Sequence, residues 1–203
     1  MDGNQGLRER KKEKTRRALI TAAAGLFGRL GYEETTVAEI AAAADVSTRT
    51  FFSYFPSKEA VLFADAGDRV QVARDVIAGR RPDEHPVELL MRAVDEAIGD
   101  DPDILGQLGP VRVRLVLETP ALHGLMMRHV LAAESQITES LLAAFPGELG
   151  KLPVAAMVGS LIGGLVSTAI ALLADPERIQ EMLDHPDRMQ TEIKGALHEA
   201  FQS

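Results

Sequence analysis

Apolar residues recur at helical spacing along most of the chain, and no stretch of useful length alternates as a strand would. Leu19, Ala22, Ala23, Leu26, Phe27 and Leu30 share one side of a helix predicted over residues 8–30, with Gly31 as its C-cap. Residues 1–7 carry no such pattern and are expected to be unstructured. Two short helices follow. Thr36 and Glu39 fit a capping box, after which Val37, Ile40, Ala41 and Ala44 share a face. Ser47 is a good N-cap for a helix over residues 48–55, which Pro56 stops. Ser57 caps a long helix predicted to run to residue 78, with Val61, Leu62, Val70, Ala73 and Ile77 on or near one side. Further helices are expected over residues 85–98, 103–118, 119–145, 153–174 and 187–201, with a short helix or turn over 176–183. Gly106, Gly109 and Pro110 should bend or split the second of these, while Thr119 and Pro120 suit the N-cap and first position of the third. The expectation is an all-α chain of about nine helices in two domains, residues 1–58 and 59–203.

Two short helices joined by a few residues form a helix-turn-helix, whose second helix enters the major groove of DNA by its N-terminal end. In that layout Thr48, Arg49, Phe52 and Ser53 fall on the outward side of the second helix, opposite Phe51 and Phe55. Arg49 suits a bidentate contact with guanine, and Thr48 and Phe52 suit thymine methyls.

Net charge argues against DNA if taken whole, because it is −8. Split at Lys58 it changes sign. Residues 1–58 hold 10 Lys+Arg against 7 Asp+Glu, a net +3, and the remainder holds 12 against 23, a net −11. Phosphate contact draws on local charge, so a basic head on an acidic body suits a DNA reader. Arg8, Arg10, Lys11, Lys12, Lys14, Arg16 and Arg17 place much of that charge at the start of the first helix. The chain has no cysteine, which leaves no disulfide and no thiolate metal site. Its first residues hold no apolar run, so no signal peptide is read.

Residues 152–174 carry no charge, a run long enough to span a bilayer. The run is rich in Ala, Gly and Ser, lacks flanking aromatics and begins at Pro153, which favours a helix buried between two subunits. Ala156, Ser160 and Gly164 recur every four residues, with Gly159 and Gly163 beside them, and small residues at that spacing let helices approach closely.

Catalytic chemistry finds little footing. His85, His123, His129, His185 and His198 make no metal-ligand spacing on one helical face, and no nucleophile elbow, P-loop or dinucleotide fingerprint is present. No cofactor, metal or catalytic residue is expected. An all-α interaction dimer without DNA is the alternative. The basic first helix and Arg49 argue against it.

The helix-turn-helix stretch resembles the TetR family of bacterial transcriptional regulators. The resemblance rests on Thr35-Thr36, Ile40-Ala41, Ala44, Val46-Ser47, Thr50, Phe52, Tyr54-Phe55 and Lys58, with Phe52 standing where the family usually has Tyr. It covers about the first third of the chain. It implies phosphate contacts by Thr36, Thr50, Tyr54 and Lys58, and a cytoplasmic, nucleoid-associated repressor of a palindromic operator. It also implies a homodimer joined by the helices over 153–174 and 187–201, with Ala156, Ser160, Gly163, Gly164, Ile193 and Leu197 at the interface. Two-fold symmetry would set the recognition helices about 34–36 Å apart on DNA. Finally, it implies a small-molecule effector in a pocket of the larger domain. Met91, Arg112, Met126, Met127 and Met157 would line that pocket, methionine being an adaptable apolar filler; of Arg112 and Arg114 one could face an anionic ligand, and both are as readily solvent-facing or paired with acids.

Overall fold

The computed structural model describes residues 3–99, 108–172, 178, 181 and 185–201. These form ten helices and no strand. The chain divides into two compact units, Met1–Ala64 and Asp65–Ser203.

The first unit holds α1 (Gly3–Leu30), α2 (Val37–Ala43), α3 (Thr48–Tyr54) and α4 (Lys58–Leu62). Leu19, Ala23, Leu26 and Phe27 are buried along one side of α1, as are Ile40, Phe51, Phe55, Val61 and Leu62 in the helices that follow. Gly31 ends α1 at φ 86°, and its amide closes on the Phe27 carbonyl at 3.1 Å. The helix starts earlier than expected: Gly3 to Leu7 are helical rather than unstructured. Extending a helix already nucleated by its packed half costs little per residue.

The second unit holds α5 (Ala66–Ala78), α6 (Pro86–Ile98), α7 (Leu108–Glu118), α8 (Pro120–Ala144), α9 (Lys151–Leu172) and α10 (Pro186–Phe201). Their common core includes Ile77, Leu89, Leu90, Val94, Ile137, Leu141, Phe145, Val158, Leu161, Met189, Ile193 and Leu197. The Arg80 guanidinium lies 3.6 Å from the centroid of the Phe145 ring and donates to the Ala144 carbonyl at 2.8 Å, closing the end of α8. At Gly164 a Cβ would stand 3.1 Å from Leu197 Cδ2, so the missing side chain is what lets α10 lie close on α9.

One expectation about continuity is corrected. The helix foreseen from Ser57 to residue 78 is two helices, because Phe63–Asp65 form a turn. Phe63 is buried, Arg16 donates to the Ala64 carbonyl, and Asp65 is drawn to Arg69 and Arg112. These side-chain contacts replace the helical bonds the turn gives up. Gly109 and Pro110 lie in the first turn of α7, where an absent N–H loses no bond. Residues 103–107 of that expected helix, and most of 176–183, lie outside the described residues.

Candidate DNA-binding site

The recognition element is assembled by local bonds. Thr36 Oγ1 accepts the Glu39 amide at 3.2 Å, and the Glu39 carboxylate takes the Thr36 amide at 2.9 Å and its hydroxyl at 2.8 Å. Those two donors hold the Glu39 carboxyl below the usual carboxylate range. The turn after α2 is closed by the Val46 amide on the Ala41 carbonyl at 2.9 Å, with Asp45 in the left-handed region at φ 55°. Ser47 then caps α3, accepting the Thr50 amide at 3.0 Å, and the Ser47 and Thr50 hydroxyls lie 2.9 Å apart.

Phe51 and Phe55 turn inward and fix the roll of α3. Thr48, Arg49, Phe52 and Ser53 are all exposed on the opposite side. Phe52 is 56% exposed, far more than a core ring would be, and the Phe51 ring meets it edge-on at 5.5 Å. Ser53 Oγ donates to the Thr50 carbonyl at 2.6 Å, which leaves its lone pairs outward. Of the expected phosphate contacts, Thr36 is exposed and Thr50 and Tyr54 are half-buried.

Lys58 stands differently. Its ammonium donates to the carbonyls of Tyr32 at 2.8 Å, Thr35 at 3.1 Å and Glu33 at 3.4 Å, and lies 4.1 Å from the Tyr32 ring centroid. It closes the loop that carries Thr36 rather than reaching outward. Beside it the Tyr32 hydroxyl donates to the Glu59 carboxylate. Burial and that carboxylate push the Tyr32 pKa up. Glu59 stays below its usual range, because bonds from Ser57 and Tyr32 outweigh its burial. Arg16, read from sequence as part of the basic face, donates to Ala64 and lies 6.0 Å from the Phe55 ring centroid. No local signal marks these pairings, which join residues far apart in sequence.

The second unit contains a cavity of about 280 Å³ with walls from α5 to α10. Of the residues expected at a ligand pocket, Arg112 and Met126 line this cavity. The other three expected residues do not. Met127 is 55% exposed, Met91 is buried and faces a separate cleft with His85 and His198, and Met157 packs against the core. Arg69 lines the cavity and was not foreseen. Its Nε donates to Asp65 at 2.7 Å, and Arg112 reaches the same carboxylate. Burial alone would raise the Asp65 pKa, but Arg112 and Arg69 hold the carboxyl below its usual range. Burial, with Arg112 and Arg128 nearby, pushes His129 down, so its ring adds no charge here at neutral pH.

The residues expected at a dimer interface divide. Ala156, Ser160 and Gly163 are exposed on α9, in line with exposed Leu152, Ser167 and Ile170. Ile193 and Leu197 are instead buried in their own chain, and Gly164 faces Leu197 and Phe201. Their places are explained by α10 packing on α9 within one copy. α9 is also long and apolar enough to cross a membrane, a test that the core helix of a globular protein passes as well, and 17% of its most apolar window is buried within the chain.

Compared with known proteins, residues 19–64 match the family described as bacterial regulatory proteins, tetR family. The chain is 34% identical over 143 residues to the HTH-type transcriptional regulator TcmR of Streptomyces glaucescens, covering 68% of this chain and 63% of that one. It is 36% identical over 83 residues to the HTH-type transcriptional regulator HbdR of Aromatoleum sp. (strain CIB), covering 40% and 36%. The chain thus spans less than two thirds of the length of these relatives. Among solved structures, the fatty acid degradation regulator FadR from Bacillus halodurans superposes with a TM-score of 0.52 at 17% identity, covering 89% of this chain and 95% of that one. At that identity the likeness is one of fold.

Proposed function

We propose that this chain, which belongs to the TetR family of bacterial regulatory proteins, regulates transcription by binding a palindromic operator as a homodimer, and is released by a small ligand held in its second unit. It is read as a regulator working in the bacterial cytoplasm, not as an enzyme. The observation that carries the reading is the division of α3. Phe51 and Phe55 lock one side into the core, while Thr48, Arg49, Phe52 and Ser53 lie together on the exposed other. A helix held in this way presents its first turns at a fixed angle, which base readout in the major groove requires.

Two further features support the rest. The exposed, uncharged row Ala156, Ser160, Gly163 and Ser167 follows alternating steps of four and three residues, the spacing of helices that pair closely. Such a face on a soluble domain calls for a cover, and a second copy offers the same face by symmetry. The cavity, largely apolar with two guanidinium groups, suits a small ligand.

Selection of bound sequences from a random DNA pool tests the reading. The expected product is an inverted repeat with half-sites about one helical turn apart, bound with strong salt dependence. Recovery of no enriched sequence would sink it.

A further inference from the structure

We propose that the cavity of the second unit is made for an amphipathic monoanion, an apolar chain or ring system ending in one carboxylate, with Arg69 as the anchoring donor. This rests on the ligand-responsive reading above and names the chemistry of the ligand.

The walls set the body of the ligand. Val94, Ile137, Leu161, Val166 and Ala169 face the cavity, so most of what fills it must be apolar. The volume of about 280 Å³ is at the small end for such sites.

Arg69 sets the end group. Arg69 and Arg112 both line the cavity and grip the same Asp65 carboxylate, so the two guanidinium groups lie side by side. Arg69 commits Nε to Asp65, whereas its Nη2 is buried with no hydrogen-bond partner among the described residues. A buried cationic donor left unsatisfied is costly, and an apolar wall cannot relieve it. An anionic oxygen at the cavity wall would, once the guanidinium turned to meet it, through a charge-assisted bond stronger than one to a neutral hydroxyl. A cationic ligand would meet two guanidinium groups. A neutral apolar one would leave Nη2 as it stands. The Arg69 guanidinium would then join ligand to Asp65, the residue directly after Ala64, where the first unit ends. A bound anion is therefore felt at the first residue of the second unit.

Decanoate and decanol share an apolar chain and differ in the end group, so titration calorimetry of the full chain with each isolates the anchor. Decanoate should bind roughly tenfold to a hundredfold more tightly. Arg69→Met should erase the preference while decanol still binds, and Arg69→Lys should keep it. Val166→Phe leaves Arg69 in place and fills the cavity, and should abolish binding of both probes, with melting curves checking that each variant is folded. Equal affinity of the two probes, no binding of either, a preference that survives Arg69→Met, or binding unchanged by Val166→Phe would each overturn the proposal. Binding to the selected operator is measured separately. A chain that holds decanoate through Arg69 and binds no DNA fails as a regulator yet keeps this site. One that binds DNA and shows no probe preference loses this proposal alone.

Discussion

Arg49 and Lys58 are both cations of the first unit, but of the two Arg49 alone is exposed, while Lys58 is folded back onto carbonyls. They should therefore fail differently. Arg49→Ala should cost about 1–3 kcal/mol on the preferred operator and relax discrimination at one base position. Binding measured across operator variants checks this, and an equal loss on every sequence would make Arg49 a phosphate contact instead. Lys58→Met should lower the melting temperature, at a cost of roughly 1–3 kcal/mol for carbonyls left without their donor. The slope of affinity against salt should stay as it is. A slope smaller by about one would return Lys58 to the phosphate role its sequence position suggests. The sequence shows that a lysine stands here, but the acceptors that claim it are contributed by a loop some two dozen residues earlier. Spacing along one helix carries no trace of them.

Among the elements, those legible in the sequence are the ones set by bonds three residues long. The caps at Thr36, Ser47 and Ser57 all form where the sequence places them. Thr36→Ala should therefore cost about 0.5–2 kcal/mol in thermal unfolding. The turn at Phe63–Asp65 is of another kind, since Arg16 and Arg112 hold it from distant helices, and the apolar pattern runs through it as if the helix were continuous. Asp65 gives this turn a pH signature. Its folded pKa is depressed, so the stability it contributes is fully present above the unfolded value of about 3.9 and is lost as pH falls through the lower folded value. Asp65→Asn should flatten the acid side of the melting profile and destabilise at neutral pH by roughly 3 kcal/mol, because two guanidinium groups lose a buried partner. A variant with the wild-type acid limb would show that the pair does not form. Small residues on α9 also divide at this scale. Gly164 serves its own chain, whereas Gly163 faces out, and a Cβ added there would meet nothing within 4 Å. Periodicity identified the stripe and could not say which member faces which neighbour.

For the whole molecule, composition alone misleads and its distribution along the chain informs. A net charge of −8 hides the basic first 58 residues that any phosphate contact would use. The cavity of the second unit was the least legible part, because residue type says what could fill a cavity and only packing says which side chains reach it. Met127 and Met126 are neighbours in sequence, yet one is exposed and the other lines the cavity. The proposed pairing is tested by Ser160→Lys. Its site is exposed in a single copy, so each chain should still fold. Like charges opposed across a two-fold axis cost several kcal/mol, so sedimentation should report half the wild-type mass. A dimer that persists would place the interface elsewhere. On the proposed pairing through the uncharged face of α9, the response would also depend on how much protein the cell synthesises. Where copies are scarce enough to be mostly single, the paired form grows as the square of their number, and doubling the rate of synthesis raises it about fourfold. Under the proposed repression, a gene governed in this way would stay open through small fluctuations in supply and close over a narrow range of abundance.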